Sequence, residues 1–318
     1  MQTILEQPVA ANASLAGALA DCVSAATVIR PSEPLARHTT LRVGGPADLF
    51  VAPASEADLA AVLQFCRQHG QPFFLLGRGS NLLVRDGGVR GVVISLAADV
   101  FSGITVVGSQ LHCGAGARLK NVSVTAKRQG LSGLEFLEGI PGSVGGALRM
   151  NAGAMGKWTF DAVVSLRYMD YQGGIHERPA REVPVEYRAC PLLRSHIALG
   201  AVFAGQPKAP AEIEQCMRGY SEKRWATQPA APSAGCIFKN PGTIPAGKLV
   251  DELGLKGTRV GGAVVSAEHG NFIINDGGAT AAYVLALIAV LQERVQAERG
   301  IALHTEVEII GEDSCQSH

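Results

Sequence analysis

The stretch Phe73-Phe-Leu-Leu-Gly-Arg-Gly-Ser-Asn81 decides how this chain folds. Four apolar residues run without a break into a loop of small residues, the pattern of a short buried strand ending in a glycine turn. Upstream, Ser55 opens a helix with Asp58 three residues on, a capping-box-like start. Leu59, Val62, Leu63 and Cys66 form its apolar face and Gly70 closes it. Downstream a second strand is expected over 92–96. The result is a β-α-β unit whose loop lies at the carboxyl end of a strand, where ligands tend to sit. Gly77, Arg78, Gly79, Ser80 and Asn81 would present consecutive backbone N–H groups, an anion-binding nest. The loop lacks the third glycine of G-x-G-x-x-G and the Gly-Lys-Ser/Thr ending of a P-loop, so taken alone a plain turn explains it equally well.

Outward from this unit, residues 1–36 read as a helix and a lead-in segment, and 41–52 as a glycine-interrupted strand pair. Beyond it come a strand over 104–113, a helix over 117–129, and strands over 163–171 and 198–204. Gln206-Pro-Lys-Ala-Pro-Ala211 reads as a linker. A helix over 212–226, a loop around Cys236, a helix from Ala246 and strands at 263–265 and 272–274 follow. A long helix from Thr280 carries the stripe Val284, Leu287, Ile288, Leu291, Val295, and 303–310 is the last strand. The expected division is a lead-in at 1–36, then 37–97, 98–205 and 206–318.

The 318 residues carry 28 basic and 28 acidic side chains, so no global field exists to hold a nucleic-acid backbone. The longest apolar run, 281–291, is about half of the ~20 residues that span a bilayer, and no signal peptide is expected from the first residues. Seven cysteines at 22, 66, 113, 190, 216, 236 and 315 show no C-x-x-C and wide spacings, suggesting neither a disulfide framework nor a metal site. A reducing cytoplasm is the expected location.

The 38 glycines cluster. Gly139-Ile-Pro-Gly-Ser-Val-Gly-Gly146 packs four glycines, Pro141 and Ser143 into eight residues, an entropic cost a mere connector need not bear. With Gly114-Ala-Gly116, Asn151-Ala-Gly153 and the 77–81 loop, it implies a long phosphate-bearing ligand of dinucleotide type. Cys236, in Pro232-Ser-Ala-Gly-Cys-Ile-Phe-Lys-Asn-Pro241, is open to several readings: nucleophile, metal ligand, proton donor or small buried hydrophobe.

These motifs resemble a known family. Gly77 to Val84, Gly133-Leu-Glu-Phe136, Gly139 to Gly146 and Asn151-Ala-Gly153 are similar to the FAD domain of UDP-N-acetylenolpyruvoylglucosamine reductases. Tyr187-Arg188, Pro232 to Pro241, Ala246-Gly-Lys-Leu-Val250, Gly254-Leu-Lys-Gly257, Asn271 to Asn275 and Thr305 to Gly311 match the same family in order. The resemblance implies an α+β fold: a two-part FAD-binding region of the vanillyl-alcohol-oxidase/PCMH type, in 37–97 and 98–205, then a smaller α/β substrate-binding domain in 206–318.

It also implies an activity, the NADPH-dependent reduction of an enolpyruvyl ether on a UDP-sugar through non-covalent FAD, in peptidoglycan precursor synthesis. A monomer is expected, with no nucleic-acid or membrane partner. Cys236, where the family has serine or cysteine, is the implied proton donor. Arg188 is the implied cation on the substrate carboxylate, and the serine usual two residues later is here Cys190. Glu306 and Glu308 share a face by period-two alternation, and alignment of Thr305-Glu-Val307 selects Glu306 as the acid. Cofactor contacts are implied for Gly77, Arg78, Gly79, Ser80, Asn81, Gly114, Gly116, Gly139, Pro141, Gly142, Ser143, Gly145, Gly146, Asn151 and Gly153. Substrate contacts are expected at Tyr187, Arg224, Lys239, Asn240, Lys248 and Asn271, and His269 is a candidate. The competing readings are another flavin oxidase or electron-transfer flavoprotein on the same fold, and a non-catalytic UDP-sugar-binding module.

Overall fold

The computed structural model describes residues 3–242 and 244–314, with side chains from residue 12, so Cys315 lies outside the described residues. By internal contacts the chain forms two compact units. The first comprises the chain up to Pro31, Leu49–Arg78 and Gly91–Lys223; the second comprises Ser32–Asp48, Gly79–Arg90 and the chain from Arg224 onward. The loop 77–81 is therefore divided, Gly77 and Arg78 in the first unit and Gly79, Ser80 and Asn81 in the second.

In the first unit the expected strand is Phe73–Leu76, and it pairs in parallel with Val89–Ser95. The helix ahead of the 73–76 strand is Glu56–Gln68, capped by the Ser55 side chain, which accepts from the Asp58 amide at 3.0 Å. Asp58 does not complete a capping box. Its carboxylate instead accepts from the Ser24 amide and the Ser24 hydroxyl, each at 2.8 Å, tying the helix to the chain ahead of it. Leu59, Val62, Leu63 and Cys66 are buried as their spacing requires, against Leu49, Val51, Val92 and Ile94.

A five-stranded antiparallel sheet follows, in the order Ile175–Pro179, Val163–Asp170, His196–Ala204, Gln110–Gly114, Ile104–Val107. The 104–113 strand is thus a hairpin, its strands joined by a turn with Gly108 at positive φ. Helix Leu119–Arg128 packs with this sheet around Leu111, Phe136, Leu148, Leu166 and Phe203, all within 1% of full burial. The 206–211 stretch is no free linker: Gln206–Pro207 pairs with Leu131–Ser132, and helix Pro210–Thr227 begins three residues on.

The second unit has an antiparallel sheet ordered Ser233–Cys236, Phe272–Asn275, Ala263–Val265, Arg259–Val260. Helix Ala281–Arg299 covers its core with the predicted stripe; Val284, Leu287, Ile288, Leu291 and Val295 are all buried, each worth about 1.5–3 kcal/mol as an upper bound. Asp86 fixes the helix start by accepting from the Ala281 and Ala282 amides at 2.8 and 2.9 Å.

Two expectations are corrected. Residues 41–52 form one strand, Pro46–Ala52, whose neighbour in the sheet is Val28–Pro34, not a second half of the same segment. The last strand is only Glu308–Ile310, parallel to Leu82–Val84; before it the chain bridges at Thr305 to Phe238, too irregular for period-two alternation to orient Glu306.

The Ser24 amide first, and its hydroxyl after it, hold the Asp58 carboxyl below the usual carboxylate range, against burial, which pushes it up. A lowered folded-state pKa stabilises above the unfolded value and is lost as pH falls through the folded one. Asp58→Asn is expected to cost about 1–2 kcal/mol at neutral pH. Below pH ~4 the deficit should shrink, as the wild-type carboxyl protonates. Thermal melts at both pH values check this; an equal deficit at each would contradict it.

Candidate functional site

Chemistry-bearing residues gather separately in the two units. In the first, residues 115–119 run antiparallel beside the 142–145 loop: Gly145 N–H donates to Ala115 O at 2.8 Å, Val144 N–H to Ala117 O at 2.9 Å, and Leu119 N–H to Gly142 O at 3.2 Å. Ser143 caps helix Val144–Arg149, its hydroxyl accepting from the Gly146 amide, so half of the expected glycine loop is a helical turn. A Cβ built on Gly77 would stand 3.2 Å from Ser143 Oγ, which brings the end of the 73–76 strand against this turn. Gly139 faces open space, Gly142 is half-buried and Pro141 is exposed.

Gly114 and Gly116 have a packing reason to be glycine. A Cβ there would fall 2.1 Å from Phe101 O and 1.9 Å from Leu96 O respectively. Asn151 is buried, its amide donating to Glu186 O and accepting from the Phe160 amide, both at 3.3 Å, so it braces the loop from within. Gly153 makes room for an aromatic ring: a Cβ on it would lie 2.5 Å from Trp158 Cε3.

Charge gathers at the same place. Arg118 bridges to Ser143 through its backbone and lies close enough to Arg78 for the two guanidiniums to repel. Desolvation first and this like charge second pull the Arg78 guanidinium below its ordinary value. Among the described residues no carboxylate pairs with Arg78 or Arg118. Two uncompensated guanidiniums beside a helix start and a run of small residues fit a diphosphate. An FAD diphosphate suits this cradle. Arg118 carries no motif and sequence reasoning missed it.

Arg188, also in the first unit, occupies the tight turn Glu186-Tyr187-Arg188-Ala189, closed by reciprocal backbone bonds of 2.9 and 3.2 Å. Its φ of 58° costs about 1 kcal/mol in a non-glycine residue, a strain that persists only where the surroundings hold it. Tyr187 is 56% exposed beside it. Cys190 is buried, and desolvation pushes its thiol up. Burial likewise raises Cys66 to about 11 and Cys113 to about 12, which marks these three as packed, unreactive thiols.

The second unit holds Cys236 and Glu306. Between Ser233 and Cys236 the pairing to the 272–275 strand slips register, and Gly235 takes φ 76°. Such a bulge re-aims the residue that follows, here Cys236, which is only half-buried between the fully buried Ala234 and Ile237. Asn271, 3% exposed, accepts from the Phe238 amide and donates to the Phe238 carbonyl, both at 2.8 Å. Through these two bonds Asn271 positions the Cys236 strand.

The Ile237 carbonyl accepts from the Glu306 amide at 2.7 Å, so Cys236 and Glu306 lie on adjoining backbone. Asn81 completes the join. Its side chain donates to the Glu306 carbonyl at 3.2 Å and its own carbonyl accepts from the Glu308 amide at 3.0 Å. Asn81 thus braces Glu306 through its side chain and its carbonyl. Gly79 is held by the Thr40 amide and hydroxyl, and that hydroxyl also bonds Ser233 O at 2.7 Å. The Ser80 carbonyl lies 3.7 Å from where a Gly235 Cβ would be.

Of the expected substrate cations here, Lys239 is exposed and Lys248 pairs with Glu252 at 3.7 Å. Asn240 accepts from the Ala246 amide at the start of helix Ala246–Glu252. Arg224 stacks over Trp225 at 5.3 Å and buries its Nε without a partner. His269 accepts the Asn271 amide through Nδ1 and packs on Phe272. Burial, then Lys256, lowers its pKa, so it serves as a neutral structural ring.

Residues 47–178 match an FAD binding domain and residues 228–310 match the C-terminal domain of UDP-N-acetylenolpyruvoylglucosamine reductase. The reductase of that name from Geobacter metallireducens is 47% identical over 283 residues, spanning 88% of this chain and 93% of that protein. Its counterpart from Heliobacterium modesticaldum is 45% identical over 289 residues, 89% of this chain and 91% of that one. The crystal structure of UDP-N-acetylenolpyruvylglucosamine reductase from Thermus caldophilus superposes with a TM-score of 0.77 at 38% identity, covering 90% of this chain and 99% of that chain. The α+β fold, with its FAD-binding region and reductase-type C-terminal domain, and the likeness of whole chains together establish that this chain belongs to the UDP-N-acetylenolpyruvoylglucosamine reductase family.

Proposed function

We propose that this chain reduces the enolpyruvyl ether of UDP-N-acetylglucosamine enolpyruvate to the lactyl ether of UDP-N-acetylmuramate, a step of peptidoglycan precursor synthesis. The observation that carries the reading is the bulge at Gly235, which sets one half-buried thiol on backbone adjoining that of Glu306, in a chain of this family. When bound, FAD supplies the relay that passes a hydride from NADPH to the vinyl carbon. Arg78, Arg118 and the amides around Ser143 would hold its diphosphate non-covalently.

Hydride addition leaves electron density on the carbon beside the substrate carboxylate. Arg188 grips that carboxylate through a fixed planar charge. Glu306 supplies the acidic side chain at the same enolate-like oxygen. The Cys236 thiol delivers the proton to the carbon, and solvent restores it. A free thiol titrates near ~8.5, well below an alcohol, so it gives up a proton to a carbanion more readily. We assign residues 37–97 and 98–205 to flavin binding and 206–318 to the sugar nucleotide, with Tyr187, Arg224, Lys239, Asn240 and Lys248 along the substrate. The balanced charge supports the absence of nucleic-acid partners and the wide cysteine spacing a cytoplasmic location, and we take the chain to act as a monomer. No helix among the described residues is long and apolar enough to cross a membrane.

The reading is tested by incubating the flavin-loaded protein with NADPH and the enolpyruvyl substrate and weighing the product, which should gain two hydrogens; unchanged substrate beside oxidised NADPH would refute it. Cys236→Ala should keep flavin reduction by NADPH and slow substrate-dependent reoxidation at least ~100-fold, with Cys236→Ser partly active. Normal reoxidation in the alanine variant would remove Cys236 as donor. Arg118→Met should weaken FAD binding about tenfold, measured by flavin fluorescence, and added salt should weaken wild-type binding more than the variant's. Equal affinity would remove Arg118 from the flavin site.

A further inference from the structure

Arg188 does not stand alone in its turn. Its guanidinium carbon lies 5.4 Å from the centroid of the Trp158 ring and 5.4 Å from that of Tyr187. The two rings meet edge to face, 5.6 Å apart at 78°. Tyr187 is Arg188's chain neighbour and moves with it. Trp158 comes from a different element, the hairpin Gly153–Ala154 with Lys157–Trp158, and so fixes the guanidinium against an independent frame.

That frame is itself well held. Trp158 pairs in register with Gly153, whose missing side chain is what admits the indole. The Trp158 amide donates to Asp161 Oδ2 at 2.8 Å, and the next residue's Thr159 hydroxyl donates to Ala152 O at 2.7 Å. Asn151 then links the hairpin to the Arg188 turn through the Glu186 carbonyl.

We infer that Trp158 is a positioning residue for the reaction: its π face holds the Arg188 guanidinium at a fixed angle. An arginine held through its plane keeps its N–H groups directed in that plane, the geometry a carboxylate needs. The inference rests on Arg188 gripping the substrate carboxylate, as proposed above. It also accounts for two sequence features at once, a tryptophan in the 151–161 loop that no catalytic step uses and a glycine at 153 whose space that tryptophan fills.

The test uses the flavin-loaded full chain. Trp158→Leu removes the π face but keeps apolar bulk; Trp158→Phe keeps a face. The leucine variant should lose about tenfold in kcat/KM for the enolpyruvyl sugar nucleotide, the phenylalanine variant about threefold or less, and flavin reduction by NADPH should be unchanged in both. In an Arg188→Ala background Trp158→Leu should cost less than about twofold, because the contact is already gone. The chain has two tryptophans, so Trp225→Phe leaves Trp158 alone for replacement by mono-, di- and trifluorotryptophan, of nearly the same shape and successively weaker faces. Log(kcat/KM) should fall with each fluorine, and this series decides the matter even if the leucine variant does not fold. A flat series, or an equal cost of Trp158→Leu with and without Arg188, overturns the inference. A wild-type protein that never reduces the sugar nucleotide overturns the functional reading as well, and is told apart by that failure.

Discussion

The second unit turns on one pair of hydrogen bonds, those between the Asn271 side chain and both polar groups of the Phe238 backbone. Both partners are almost wholly buried, so losing either bond would strand a backbone group away from water at about 1–3 kcal/mol. With Phe238 pinned, the bulge at Gly235 must absorb the mismatch to the 272–275 strand, and Cys236 leaves the core that claims its neighbours Ala234 and Ile237. The adjacent Ile237 carbonyl then gathers the Glu306 amide, and Asn81 locks the same segment from its other side. A buried amide therefore sets where two reactive side chains stand.

The first unit reaches its chemistry by another route, uncompensated charge. Arg78 and Arg118 repel each other beside the Ser143 turn, an arrangement that costs stability in the free protein and is relieved by an anion. Arg188 is handled differently: backbone strain and two aromatic rings help to hold it. Both are preorganisation, with folding supplying the orientation that a reaction would otherwise pay for.

Where local chemistry determines structure, the chain could be read directly. The Ser55 cap, the 73–76 strand and the 281–299 helix with its five-residue stripe appear where spacing and capping put them. Cys236 stood out because a glycine preceded it, and that glycine proves to be the bulge. Long-range pairing was less visible. Val28–Pro34 contains two prolines and no alternation, and it is a strand because it lies at a sheet edge, where a missing donor is tolerated. The segment before Glu308 alternates well yet is held by single bridges to Phe238 and Asn81, which no local pattern encodes. Asn271 and Asn81 lie within recognisable motifs, and the bonds by which they brace Phe238 and Glu306 have no local sequence signal. Arg118 and Trp158 had no motif at all, and only the fold brings them to Arg78 and Arg188.

The central claim is that this scaffold passes electrons from NADPH through a bound flavin to an enolpyruvyl sugar nucleotide. Absorbance near the flavin band, followed without oxygen, tests it most directly. NADPH alone should bleach the band, and UDP-N-acetylglucosamine enolpyruvate added afterwards should restore it. Bleaching without recovery would contradict the assigned acceptor, and a protein that binds no flavin would contradict the account as a whole.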